Sequence, residues 1–160
     1  MLGETMPGEN LTRKEAQERA ELIKVASYEV KLDLTTGDKT FDSSTRVKFS
    51  ANQPGASTFI DAITESVQRV CLNGVELDPA EVSDGVRITL PNLEAENDLL
   101  IEAKAIYMNT GEGLHRFVDP VDNEVYLYSQ FEVPDSRRMY AVFEQPDLKA
   151  TFKFVVTAPT

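Results

Sequence analysis

The chain has 160 residues, a length that fits one domain and lets a folded chain bury roughly 70% of the surface it exposes when unfolded. Hydrophobic residues make up 41% and charged residues 27%, ordinary values for a soluble globular protein and too apolar for disorder along the whole chain. Twenty-seven acidic against 16 basic residues give a net charge of −11, which repels phosphate backbones and argues against nucleic acid as a partner; solubility explains the acidity.

Cys71 is the only cysteine, so no intrachain disulfide can form, which suits a reducing compartment. No apolar run approaches the roughly 20 residues of a membrane span, and residues 1–8 lack the basic start and apolar stretch of a signal peptide. The cytoplasm is the expected location, with no membrane partner.

Residues 1–10 hold two glycines and a proline and are expected to be a flexible lead-in. Thr12-Arg13-Lys14-Glu15 is a capping box, and good helix formers follow, with Ala16, Ala20 and Ile23 on one side. A helix over residues 11–24 is predicted. From there to residue 160 the chain reads as one β domain. Tyr28, Val30, Leu32 and Leu34 alternate with Glu29, Lys31 and Asp33, and residues 41–51 return with Thr45, Val47 and Phe49 on one face, a long hairpin.

Shorter strands follow over residues 58–61, 67–72, 75–77, 86–90 and 98–108. Asn73-Gly74 marks a tight hairpin turn, because both positions accept positive φ. Residues 109–118 read as a loop holding the only histidine, His115. Residues 124–131 are a strand rich in Tyr and Val; residues 134–147, bracketed by prolines, are a turn with a short helix; residues 149–157 are the last strand. The prediction is an all-β fold, a saddle-like β-sandwich of about eight or nine mostly antiparallel strands behind one N-terminal helix.

One His and one Cys cannot build a three- or four-ligand zinc site, and H-E-x-x-H is absent. Cys71 reads as a buried structural thiol and His115 as a packing or hydrogen-bonding residue. The dense stretch is residues 126–147. In a strand Gln130 and Glu132 project to one face, which sets a carboxylate beside an amide, a compact site for a protonated amine. The plainer alternative has Glu132 paired with Arg137 or Arg138 to pin a turn, and spacing alone favours it.

Ser129-Gln130-Phe131-Glu132, Asp135-Ser136-Arg137-Arg138, Phe143-Glu144-Gln145-Pro146 and Leu148-Lys149-Ala150-Thr151-Phe152 together resemble the aminopeptidase N family of zinc metallopeptidases, whose N-terminal domain carries T-Q-F-E, D-A-R-R, F-D-E-P and L-K-A-T-F in this order. Gly113-Leu114-His115-Arg116 stands where that family often has G-F-Y-R, and residues 27–34 resemble its first strand. The resemblance spans essentially residues 27–159 and is closest to actinobacterial members. In the family the Gln and Glu of the Q-x-E pattern reach into the catalytic cleft, so it implies that Glu132 binds the substrate's free α-amino group and that Gln130 shapes the pocket for the first side chain. Arg137 and Arg138 are then structural partners.

Departures from the pattern are His115 for the usual Tyr, Ala141-Val142 where Pro-Cys is common, and Glu144-Gln145 for Asp-Glu. The resemblance places the zinc ligands in a following catalytic domain, so these residues are expected to bind no zinc and to hydrolyse no peptide alone. The implied partners are peptides with a free N-terminus and that catalytic domain. A surface around Gln130 and Glu132 is expected to be exposed where it would pack. A free-standing β-sandwich module that binds peptide, protein or carbohydrate is the alternative, and a stand-alone peptide-binding paralogue without catalysis is a third.

Overall fold

The computed structural model describes residues 10–160; the expected lead-in, apart from Asn10, lies outside the described residues. Thr12 opens helix α1 (Arg13–Leu22) with the capping box its sequence announces. Its Oγ1 accepts from the Glu15 amide at 3.2 Å, and the Glu15 carboxylate accepts from the Thr12 amide at 2.9 Å. The helix is two residues shorter at each end than expected. Its C-terminal end is set by Ile23 and Val25, buried in alternation with exposed Lys24 and Ala26, so strand β1 (Ile23–Asp33) begins at once.

The remaining strands are β2 (Thr40–Ala51), β3 (Thr58–Asp61), β4 (Ser66–Leu72), β5 (Val75–Leu77), β6 (Arg87–Leu90), β7 (Glu96–Ile106), β8 (Gly113–Val118), β9 (Val125–Gln130) and β10 (Thr151–Thr157). The all-β class with one leading helix is borne out, with ten strands in place of eight or nine. The additional strand is β8, read from sequence as loop. Gly-Leu-His-Arg-Phe-Val shows no alternation because β8 has β9 as its one strand partner, with a single parallel bridge from Met108 to His115 besides, and Leu114 and Gly113 alone in it are buried.

A six-stranded sheet runs β10-β1-β2-β7-β4-β5, and two ribbons, β3–β6 and β8–β9, stand apart from it. Pairing is antiparallel except where β10 lies parallel to β1, with Tyr28 opposite Phe152 and Val30 opposite Phe154. The Asn73-Gly74 turn holds both residues at positive φ, as a two-residue hairpin requires.

The core lies between the inner face of the large sheet (Val30, Val47, Phe49, Leu99, Ile101) and a second layer formed by β3–β6 (Ile60, Ile88, Leu90) and the segment around Phe143. Phe143 meets Phe49 edge-on, ring centroids 5.2 Å apart. An antiparallel bridge between Asp61 and Val142 joins that segment to β3, and the Tyr28 hydroxyl, buried, accepts from the Phe143 amide at 3.1 Å. No helix among the described residues is long and apolar enough to cross a membrane.

Candidate functional site

The site grows from the β8–β9 ribbon. At the inner end of this ribbon His115 stacks on its cross-strand neighbour Tyr128, centroids 4.6 Å apart, and its Nδ1 accepts from the Gly111 amide at 3.0 Å. The packing and hydrogen-bonding role expected of His115 is the one it has.

Gly113 pairs with Gln130 and has φ +61°; a Cβ there would lie 2.8 Å from the Arg138 Cβ. No side chain fits between the ribbon and Arg138, and the backbone conformation favours glycine as well. Arg138 therefore rests against the strand end that carries Gln130. Its guanidinium lies 3.6 Å from both Glu112 and Asp135.

Strand β9 stops at Gln130, so the alternation that would align Gln130 with Glu132 does not extend to Glu132. Phe131 leaves the strand to pack edge-on against Tyr140 at 6.0 Å, and Glu132 follows in irregular backbone. The Glu132 carbonyl accepts from the Asp135 amide at 2.8 Å, across a turn containing the cis Val133–Pro134 peptide. A 3-10 helix, Ser136–Arg138, comes next.

Both Gln130 and Glu132 are exposed. Among the described residues neither side chain has a hydrogen bond or ion pair, so Glu132 pins no turn. The turn is held by Glu144 instead, a buried carboxylate that accepts from the Ser136 hydroxyl and, at 2.8 Å, from the Arg137 amide.

Glu144 is itself fixed from below. Its amide donates to the Asp61 carboxylate at 3.1 Å, and the same Asp61 oxygen accepts from Arg19 Nη1 at 2.9 Å. Arg19 and Asp61 are both almost fully buried. Arg19 also donates to the Phe59 carbonyl at 3.2 Å and to Gln145 Oε1 at 3.1 Å, and lies 4.6 Å from the Phe59 ring centroid. Gln145 in turn donates to the Ala16 carbonyl at 2.8 Å.

Sequence reasoning missed Arg19, Asp61 and Gly113. The helix face expected to bury Ala16 and Ala20 centres on Arg19, a charged residue that only a partner 42 positions away makes tolerable there. Cys71 also differs from expectation. It is half-buried on the outer face of the sheet, since its neighbours Val70 and Leu72 occupy the inner one.

Apolar side chains remain exposed along the ribbon and the outer strand: Val125, Tyr126, Leu127 and Tyr128 on β9, Val133 beyond it, and Phe152 and Phe154 on β10. A groove of about 700 Å³ runs between Leu34, Tyr107, Arg116, Leu127 and Pro159, and another of about 560 Å³ lies on the outer face beside Arg46, Cys71 and Glu102. Neither groove includes Gln130 or Glu132. Among the described residues no group of three or more His, Cys, Asp or Glu could hold a metal ion. A zinc ion does not fit the described residues.

Residues 24–160 match the Peptidase M1 N-terminal domain, and the chain belongs to that family. It is 56% identical over 157 residues to aminopeptidase N of Streptomyces lividans, a match covering 96% of this chain and 18% of that protein. The expected kinship with the aminopeptidase N family is thus borne out.

Native yeast LTA4 hydrolase superposes with a TM-score of 0.71 at 18% identity, over 88% of this chain and 23% of that one. Yeast LTA4 hydrolase in complex with Bestatin gives 0.71 at 17% identity, over 94% of this chain and 27% of that one. At such identities the likeness is one of fold.

Proposed function

We propose that this chain is the N-terminal β domain of a zinc aminopeptidase that removes N-terminal residues from peptides, and that it caps the active site. In this reading Glu132 receives the substrate's α-ammonium group and Gln130 borders the pocket for the first side chain. The observation that carries it is the unpaired state of Glu132, an exposed carboxylate with no side-chain partner among the described residues beside a braced turn.

An exposed carboxylate attracts an ammonium only weakly, because water screens both charges. The same pair in a shielded cleft is a strong charge-assisted hydrogen bond. Glu132 is therefore half of a site, and its selectivity for free N-termini depends on a second wall that excludes water. The apolar side chains of β9 and β10 are the surface on which that wall, the enzyme's own catalytic domain, would seat. The zinc ion and its chemistry belong to that domain, and the cytoplasm is the proposed location.

Kinetics of the full-length enzyme test the reading. Glu132→Gln is expected to raise KM for an aminoacyl-aminocoumarin about tenfold or more, the scale of one charge-assisted hydrogen bond. An unchanged kcat/KM for that substrate would refute the amine-binding role. The 160-residue chain alone is expected to hydrolyse nothing, and turnover by the pure chain would refute the division of labour.

A further inference from the structure

The residues that hold the Glu132 turn do not stop at the turn. They lead, through one buried carboxylate after another, to a helix outside the part of the chain that matches the family. The match begins at residue 24, whereas α1 ends at Leu22. We propose that α1 is a positioning element for Glu132, acting through Arg19, Asp61 and Glu144; this rests on the amine-binding reading of Glu132.

Three observations carry the proposal. First, Asp61 accepts from Arg19 Nη1 and from the Glu144 amide with one and the same oxygen, so the helix and the 143–145 segment share a single acceptor. Arg19 and Asp61 are both almost fully buried, so losing either one leaves the other charge without its ion-pair partner. Second, Glu144 is the cap of the Ser136–Arg138 helix. Asp135, the residue at the usual capping position, makes no side-chain cap bond, and Glu144 takes the Ser136 hydroxyl and the Arg137 amide in its place. Third, the turn so capped is the one whose Asp135 amide holds the Glu132 carbonyl.

The helix is well placed for the task. Glu15 binds Arg87 with both carboxylate oxygens, at 2.6 and 3.0 Å, and the Arg87 and Arg19 guanidiniums both lie over the Phe59 ring. Two arginines and one aromatic ring thus fix the rotation and height of α1 on the β3–β6 ribbon. A displacement at Arg19 releases Asp61, then the Glu144 backbone, then the cap on which the Glu132 turn depends. Arg19, Asp61 and Glu144 touch no substrate in this scheme; they are positioning residues.

Amide hydrogen exchange on the 160-residue chain tests the relay independently of any activity. Because Arg19→Met alone leaves the buried Asp61 carboxylate without its ion-pair partner, the main variant is Arg19→Met with Asp61→Leu, which removes both charges and the acceptor that Arg19 and the Glu144 amide share. Exchange at the Arg137 and Asp135 amides is expected to rise about tenfold while amides of β2 and β7 keep their protection, the signature of a local opening. Glu144→Ala should produce the same pattern without loosening α1. Unchanged exchange at Arg137 and Asp135, or an equal rise across β2 and β7, would overturn the relay.

Kinetics of the full-length enzyme then test its purpose. The double variant is expected to raise KM several-fold, less than Glu132→Gln, with kcat within about twofold. Arg19→Lys, which keeps the charge and loses the forked geometry, should fall between. If Glu132→Gln raises KM and the double variant does not, the positioning role is overturned. If Glu132→Gln itself leaves KM unchanged, the amine-binding reading fails, and with it the purpose assigned to α1, while the exchange data still decide whether the relay exists.

Discussion

Arg87 grips Glu15 with both arms of its guanidinium, Nη1 to Oε1 at 2.6 Å and Nη2 to Oε2 at 3.0 Å, and this pair closes the N-terminal end of α1 onto β6. The Arg87 hydrogen bonds, with help from the Thr12 amide, hold the Glu15 carboxyl down to about 2 from its ordinary 4.5. A depressed carboxyl pKa favours the folded state above the unfolded pKa, and that contribution is lost as pH falls through the folded value. Glu15→Gln is therefore expected to cost about 1 kcal/mol at neutral pH, from the lost ion pair and the weakened cap together. The difference from the parent should shrink as pH falls from about 4.5 towards 2. Urea unfolding of both proteins at pH 7 and pH 3 measures it; an equal difference at the two values would refute the assignment.

Gly113 and Arg138 give a second test, of steric rather than electrostatic origin. Gly113→Ala must hold a Cβ at positive φ and also displace Arg138, whose own Cβ lies 2.8 Å from the new atom. Gly111→Ala shares only the first penalty, since its Cβ would stand an ordinary 3.7 Å from the Tyr128 hydroxyl. The expected losses are about 1 kcal/mol for Gly111→Ala and about 2–3 kcal/mol for Gly113→Ala, where overpacking adds to strain. Denaturant midpoints that coincide for the two variants would show that Arg138 moves aside at no cost.

These contacts mark the boundary of what the chain discloses by pattern alone. Alternation over residues 28–34 and 41–51 announced β1 and β2, because a strand with one face on the core must alternate. The Asn73-Gly74 turn and the Thr12–Glu15 cap were equally legible, since each is a local interaction of fixed spacing. Strand β8 was not, because only Gly113 and Leu114 at its start are buried and the rest has no inner side for its pattern to record. The brace under Glu132 was invisible for another reason. Arg19, Asp61 and Glu144 lie 42 and 83 residues apart in sequence, and only the fold makes them neighbours. Gln130 and Glu132 are candidates through the family's motif; the argument from strand alternation does not hold, because β9 ends between them.

The Tyr28 hydroxyl offers a pH test of the opposite sign. It is buried against the Phe143 amide, and burial pushes its pKa well above the ordinary 10.0, while the Phe143 hydrogen bond opposes the shift. A phenol with a raised folded pKa favours folding below the unfolded value and loses that contribution as pH rises above it. Tyr28→Phe leaves the Phe143 amide without its acceptor and is expected to cost about 1–2 kcal/mol at pH 7. That cost should diminish above pH 10, where the parent must bury or expose an ionising group and the variant need not. Parallel unfolding curves at pH 7 and pH 10.5 check both statements, and a penalty that grows with pH would contradict them.

The apolar residues of β9 call for a test that separates exposure from stability. Val125 and Leu127 are 47% and 36% exposed and lie on β9, whose one strand partner is β8, so they contribute little to the core. Under the proposed function this patch is where the catalytic domain would seat. Replacing both residues with threonine is expected to leave the urea midpoint within about 0.5 kcal/mol of the parent, as for substitutions away from buried contacts. Binding of an apolar dye such as ANS should nevertheless fall, because the patch and not the core supplies the dye's site. In a full-length enzyme whose catalytic domain seats on β9, the same double substitution should loosen the two domains and reduce activity. Dye binding unchanged by the substitution would remove the exposed ribbon as a docking surface, and a large loss of stability would show that it belongs to the core after all.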